Sequence, residues 1–111
     1  NISSLENDGH LINAIYLKIT NNQLSSLKGV ELMSNLKEIK IYNNPLEDIS
    51  NLKDLKYLEW ISSSKESLPE RYHQFLNGFE SIYGRENVKK LQLFLYAEAN
   101  IKDQQTINLL C

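Results

Sequence analysis

The sequence lacks the residues and motifs that most catalytic and metal-binding sites require. Its single cysteine, Cys111, is the last residue, so no disulfide can form within the chain. The four glycines are isolated from one another, and no glycine-rich phosphate loop, Cys-x-x-Cys pair or His-Glu-x-x-His motif occurs. The two histidines, His10 and His73, have no metal-ligating companion at usable spacing. We therefore predict that the protein is not an enzyme and that it binds no metal ion and no cofactor.

The charge balance and the apolar runs exclude two further classes. The chain has 12 basic and 14 acidic residues, which gives a net charge of −2. A general nucleic-acid binder is expected to carry a basic face, so we predict no nucleic-acid partner. No apolar run reaches the ~18 residues of a membrane-spanning helix, and the first residues lack a signal-peptide pattern. The scarcity of cysteine slightly favours a cytoplasmic location, while a secreted or surface-exposed longer chain stays open.

An internal repeat of 22 residues dominates the sequence. Residues 36–58 read LKEIKIYNNPLEDISNLKDLKYL, and the same framework precedes them at an offset of 22. Repeats of this length indicate stacked structural units, so they are considered before any single motif. Eight positions match: Leu17 with Ile39, Ile19 with Ile41, Asn22 with Asn44, Leu24 with Leu46, Leu27 with Ile49, Val30 with Leu52, Met33 with Leu55, and Leu36 with Leu58.

The pattern Leu-x-x-Leu-x-Leu-x-x-Asn-x-Leu in these units resembles the leucine-rich repeat. The 22-residue length and the tail from Asn44 to Leu52 are similar to the short repeats of bacterial internalins and of regulatory subunits of protein phosphatases. The resemblance covers residues 14–61. It implies a β-solenoid in which each repeat adds one short strand to a parallel sheet, and a concave sheet face that binds other proteins.

The repeat positions indicate the same architecture on physical grounds. Ile39 and Ile41 alternate with a period of two, so both side chains point to one face of a short strand. The spacings of three that follow suit a 3₁₀ or α-helical return on the convex side. A single unit cannot bury its apolar edge, whereas stacked units share a continuous core. Asn22 and Asn44 stand where the chain leaves each strand, and we interpret them as scaffold residues that pair with turn backbone.

We predict one domain of α/β class over residues 1–111: a leucine-rich-repeat solenoid with a short parallel sheet on its concave side. Strands are expected near residues 14–19 and 38–41 and from residue 58 onward. The first residue is expected to be a cut within a longer protein, and a degenerate N-terminal cap is the alternative. The segments are residues 1–13 as a partial repeat or N-terminal cap, 14–35 and 36–57 as repeats, 58–87 as an expanded repeat, and 88–111 as a helical C-terminal cap.

Two elements of the second half depart from the 22-residue spacing. Residues 68–83 are predicted to form a helix, because Ser67 and Glu70 have capping-box spacing and an apolar stripe continues at intervals of three and four up to Gly84. The segment VKKLQL at residues 88–93 then restores the strand motif. We therefore predict a fourth parallel strand there, followed by a short terminal helix.

The residues between the framework positions are expected to face the concave side. The register gives three rows: Tyr16, Glu38, Trp60 and Lys90; Lys18, Lys40, Ser62 and Gln92; and Thr20, Tyr42, Ser64 and Phe94. Tyrosine and tryptophan are enriched at the residues that dominate protein interfaces. The predicted partner-binding residues are Tyr16, Lys18, Glu38, Lys40, Tyr42 and Trp60, with the aromatic side chains as apolar anchors and the charged ones selecting the charge of the partner.

Two functions stay open from the sequence. The first is non-catalytic recognition of a protein or peptide through this face, by a chain that is part of a longer protein. The second is a structural cap or spacer within a larger enzyme or toxin, with no binding activity of its own. The identity of a partner does not follow from the repeat, because one scaffold serves many unrelated functions.

Overall fold

The sheet is built from four strands of three residues each: β1 (Tyr16–Lys18), β2 (Glu38–Lys40), β3 (Trp60–Ser62) and β4 (Ser81–Tyr83). Their order in the sheet is β1–β2–β3–β4. One long helix, α1 (Arg85–Leu110), follows β4 directly. The structure is a computed structural model that describes residues 13–20, 22–78 and 80–110. Short 3₁₀ helices lie between the strands, at Val30–Leu32, Ser50–Asp54, Lys65–Ser67 and Glu70–Phe75.

The first three strands lie where the 22-residue spacing places them. β1 pairs with β2, and β2 with β3, in parallel, so that Leu17, Ile39 and Ile61 are neighbours in the register. All three side chains point into the core and are at most 7% exposed. The partial repeat or N-terminal cap predicted for residues 1–13 falls, up to residue 12, outside the described residues.

The predicted leucine-rich-repeat solenoid, with its wholly parallel sheet and helical cap, is wrong. β4 pairs with β3 in the antiparallel sense, with Ile82 opposite Ile61, so the sheet is mixed, and it does not curl. The chain then continues into α1, which packs against the 3₁₀ helix Ser50–Asp54 and closes the core. A reversed strand and a long helix thus complete a small compact globule where a solenoid would add another parallel unit. The binding role implied by a concave solenoid face loses that basis, because this sheet is not curled.

The helix predicted for residues 68–83 is also wrong. This segment contains the 3₁₀ helix Glu70–Phe75, a turn and β4. The Asn77–Gly78 dipeptide favours a turn and interrupts the helical pattern, and the backbone N–H of Asn77 donates to the carbonyl of Ser81 across that turn at 2.8 Å. Gly84, with a φ of 96°, precedes α1 and does not end a helix.

The strand predicted at residues 88–93 lies within the first turns of α1. Val88, Leu91 and Leu95 are buried there, whereas Leu93 is 62% exposed. Intervals of three and four residues define one face of a helix, while a strand would place Leu91 and Leu93 on the same side. The interval of three from Val88 to Leu91 occurs both in the repeat motif Leu-x-x-Leu-x-Leu and on one face of a helix, and this ambiguity explains the error.

Asn44 is a buried polar residue that holds the turn after β2. Its Nδ2 donates to the carbonyl oxygens of Ile19 at 2.7 Å, Ile41 at 3.2 Å and Tyr42 at 3.2 Å. Its Oδ1 accepts from the backbone N–H of Leu24 at 3.4 Å. These bonds join the turn after β2 to the turn after β1, and they confirm the scaffold role predicted for Asn44.

Candidate functional site

The outward side chains of the strands form two rows across the sheet. The first, which we call the aromatic row, consists of Tyr16, Glu38, Trp60 and Tyr83, paired in register from β1 to β4. The second, the lysine row, consists of Lys18, Lys40, Ser62 and Ser81. Both serines are buried and uncharged, so Lys18 and Lys40 supply the charge and the accessible surface of the lysine row. We call the surface formed by the two rows the outward face.

The structure brings five of the six predicted binding residues onto the outward face. These are Tyr16, Lys18, Glu38, Lys40 and Trp60. The sixth, Tyr42, lies two residues beyond the end of β2, in a turn, and is half-buried.

Tyr83 belongs to the aromatic row but was assigned to a helix by the sequence pattern. Its ring contacts that of Trp60 edge to face, with centroids 4.9 Å apart and an interplanar angle of 88°. Such T-shaped pairs are a favoured arrangement of aromatic rings. The signal for β4 was the alternation of Ser81, Ile82 and Tyr83 after the Asn-Gly turn. Three residues are too few to distinguish a period of two from a helical stripe.

The other residues predicted for the fourth strand do not belong to this face. Lys90, Gln92 and Phe94 lie on α1. Gln92 is buried, and its Nε2 donates to the carbonyl oxygens of Leu52 at 2.8 Å and Leu55 at 2.9 Å. Phe94 packs its ring against Phe75. Gln92 and Phe94 therefore attach α1 to the core, whereas Lys90 is exposed.

Lys40 and Tyr16 form a coupled pair at the β1 side of the outward face. The Lys40 Nζ lies 5.6 Å from the centroid of the Tyr16 ring, within cation–π range. The hydrogen bond with Tyr16, followed by the charges of Tyr16, Glu38 and Tyr42, raises the pKa of Lys40 above its usual value. Lys40 is therefore fully protonated at neutral pH and presents a fixed positive charge.

The aromatic row exposes a large part of its ring surface to solvent. The exposed fractions are 46% for Tyr16, 37% for Trp60 and 60% for Tyr83. Glu38 lies between Tyr16 and Trp60 and is half-buried. The outward face thus combines accessible aromatic surface with charged groups at its β1 and β2 side.

A second polar cluster lines a cavity of about 310 Å³ beside α1. The Arg71 Nε donates to one carboxylate oxygen of Glu98 at 2.5 Å, and the Tyr72 Oη donates to the other at 2.5 Å. Burial, together with the hydrogen bond and charge of Glu98, raises the pKa of Tyr72. The groups of this cluster satisfy one another, so we interpret it as a link between α1 and the 3₁₀ helix Glu70–Phe75.

Within the described residues, no group of His, Cys, Asp and Glu side chains is arranged to hold a metal ion.

Comparison with known proteins finds no matching protein-family model, no matching curated protein and no matching solved structure. The leucine-rich-repeat resemblance of residues 14–61 therefore stays a prediction. In the described ranges, no helix combines the length and apolar character needed to cross a membrane. The outward face, with its aromatic row and lysine row, is the candidate site on which a functional proposal rests.

Proposed function

We propose that this protein is a non-catalytic recognition domain that binds a partner polypeptide on the outward face of its sheet. The observation that supports this proposal is the aromatic row, in which Tyr16, Trp60 and Tyr83 stay exposed on neighbouring strands. Tyrosine and tryptophan contribute a large share of binding free energy at protein interfaces, because each buries a wide apolar surface with little loss of side-chain entropy.

A simpler explanation is that these residues only suit the surface of a strand. Exposed apolar residues are common on folded proteins when they occur singly, and aromatic residues are favoured in strands in general. Trp60 and Tyr83 differ from this background because their rings contact each other and stay open to solvent. Adjacent exposed aromatic rings bordered by charged groups are a feature of interaction surfaces.

The shape of the sheet constrains how a partner binds. The sheet is not curled, so it offers a broad surface and does not enclose its ligand. A partner that lies flat on the aromatic row covers the rings of Trp60 and Tyr83, and its backbone stays largely outside the domain. This arrangement suits an extended segment or a second flat surface.

The proposal is tested by affinity capture from a lysate of the source organism, with the wild type beside the double variant Trp60→Ala/Tyr83→Ala. Truncation of one hot-spot residue costs about 2 kcal/mol or more, which is about 30-fold in affinity. We therefore expect the partner to bind the double variant at least about 30-fold more weakly, and about 1,000-fold more weakly if the two losses add. The control is Tyr57→Ala/Leu93→Ala, which removes comparably exposed apolar residues outside the strands. Circular dichroism checks that each variant is folded.

The expected result is a protein that the wild type and the control retain and that the folded Trp60→Ala/Tyr83→Ala variant loses. Equal retention by all three proteins would place binding on another surface. If none of the three proteins retains a partner, the result supports the alternative function, a structural cap or spacer.

A further inference from the structure

We infer that the segment bound on the outward face is an extended acidic polypeptide in which a carboxylate lies two residues from a large apolar or aromatic side chain. This inference rests on the proposed function and specifies the chemistry of the partner. Two features of the outward face support it, namely the charge of the lysine row and the spacing between the two rows.

The lysine row concentrates positive charge. Lys18 and Lys40 are direct neighbours in the register between β1 and β2. In the described part of the chain, no carboxylate forms a salt bridge with either lysine. Like charges in neighbouring positions of a sheet repel each other, so a carboxylate from a partner gains attraction to both lysines and also offsets their repulsion.

Lys40 keeps its charge and has hydrogen-bonding capacity left for a ligand. An ammonium group carries three hydrogen-bond donors. The ammonium group of Lys40 interacts with the ring and the hydroxyl group of Tyr16. The neighbouring carboxylate of Glu38 contributes to the raised pKa of Lys40 without forming a salt bridge with it. The cation–π contact with Tyr16 orients the ammonium group of Lys40, which lowers the entropic cost of binding a carboxylate.

The distance between the two rows matches the repeat of an extended chain. Tyr16 and Lys18 are two residues apart on β1, as are Glu38 and Lys40 on β2. Residues two apart on a strand point to the same side about 7 Å from each other. An extended peptide has the same spacing between alternate side chains. It can therefore place an apolar side chain on the aromatic row and a carboxylate on the lysine row at once.

Single-stranded nucleic acid is the alternative that also uses stacked aromatic rings and lysines. It fits this face less well, because Glu38 lies within the aromatic row, where bases would stack and phosphates would pass close to its carboxylate. The net charge of −2 also gives no general attraction for a phosphate backbone. The observations therefore favour an acidic peptide.

The experiment selects peptides from a phage-displayed library of random linear sequences against the immobilised full chain. The amino-acid composition of the retained peptides is compared with that of the unselected library. We expect enrichment of Asp or Glu two positions from Trp, Tyr, Phe or Leu. The charge-reversed variant Lys18→Glu/Lys40→Glu is expected to bind the selected acidic peptides at least about tenfold more weakly and to enrich basic peptides in its own selection. The variant Lys56→Glu/Lys89→Glu, with the same change of net charge outside the strands, is expected to keep the acidic preference.

The outcomes separate this inference from the proposed function. Peptides that require Trp60 but show no acidic excess, or that bind the charge-reversed variant equally well, would overturn the acidic inference and leave the proposed function in place. If the selection yields no peptide whose binding requires Trp60, the result counts against both the acidic inference and the proposed function. A labelled single-stranded oligonucleotide that binds more tightly than the selected peptides, and requires Trp60, would overturn both in favour of nucleic acid. Circular dichroism of each variant ensures that lost binding is not lost folding.

Discussion

Replacing Asn44 with alanine should destabilise the whole domain, although the residue touches no part of the outward face's two rows. The side-chain amide joins the carbonyl oxygens of Ile19, Ile41 and Tyr42 and the backbone N–H of Leu24. All of these backbone groups lie in two turns, where no neighbouring strand provides their hydrogen-bond partners. A buried polar group left without a partner costs about 1–3 kcal/mol.

We expect Asn44→Ala to lower the free energy of unfolding by about 2–4 kcal/mol. Backbone groups in two turns lose their hydrogen-bond partner at once, and the shorter of these hydrogen bonds contribute most of the loss. That is a large part of the roughly 5–15 kcal/mol that stabilises an ordinary domain. The corresponding drop in melting temperature is roughly 10–25 °C. Urea and thermal unfolding followed by circular dichroism measure both quantities.

Two further variants make the test of Asn44 specific. Asn51→Ala removes an exposed side-chain bond from the amide to Glu31 (2.9 Å) and is expected to cost less than about 0.5 kcal/mol. Asn44→Asp keeps the shape but turns a donor into a carboxylate facing carbonyl oxygens, which raises its pKa in the folded state. Its stability should therefore be highest at acidic pH and fall as the pH rises through that raised pKa. A loss below about 1 kcal/mol for Asn44→Ala, equal to that of Asn51→Ala, would refute the reasoning.

Two more predictions concern the attachment of α1. Gln92→Ala removes two buried hydrogen bonds and leaves the carbonyl oxygens of Leu52 and Leu55 with only the longer backbone bonds, at 3.3 and 3.4 Å. At about 0.5–1.5 kcal/mol for each lost bond, we expect the urea midpoint to fall by an amount equivalent to about 1–3 kcal/mol. Gln92→Leu restores the volume but no donor, and it should not recover this loss. The raised pKa of Tyr72 means that above about pH 10 the unfolded chain releases the Tyr72 proton while the folded chain keeps it. Stability should then fall by up to about 1.4 kcal/mol per pH unit, and urea unfolding of Tyr72→Phe should show a shallower alkaline decline. The same alkaline slope in both proteins would contradict this assignment.

The sequence predicted the half of the fold that repeats and misassigned the half that does not. Leu17, Ile39 and Ile61 stack in register because a constant offset of 22 residues fixes which positions meet. A periodicity contains no information about how the chain closes after its last unit. That closure depends on β4, a strand too short to establish a period, and on α1.

The candidate binding residues divide in the same way, into those that lie within the repeat and were predicted and one that lies beyond it and was missed. Tyr16, Lys18, Glu38, Lys40 and Trp60 were placed by the repeat and lie together on the outward face. Tyr83 was missed, because its partner Trp60 lies across an antiparallel pairing that no offset predicts. Leu95 continues the helical spacing of Val88 and Leu91, and this spacing indicates the helical character of the first turns of α1. Prediction from a repeat is therefore dependable only up to the point where the repeat ends.

The single tryptophan of the chain gives the outward face an optical reporter of its own. The indole of Trp60 is partly in water and meets the ring of Tyr83 in a T-shaped contact, so its emission depends on what covers that one place. A ligand that lies over the indole displaces water and shifts the emission toward shorter wavelengths, while unfolding shifts it toward longer ones. Binding at a distant surface leaves the colour unchanged. Occupancy of the outward face can thus be followed in solution, without a label, by the fluorescence of the unmodified protein.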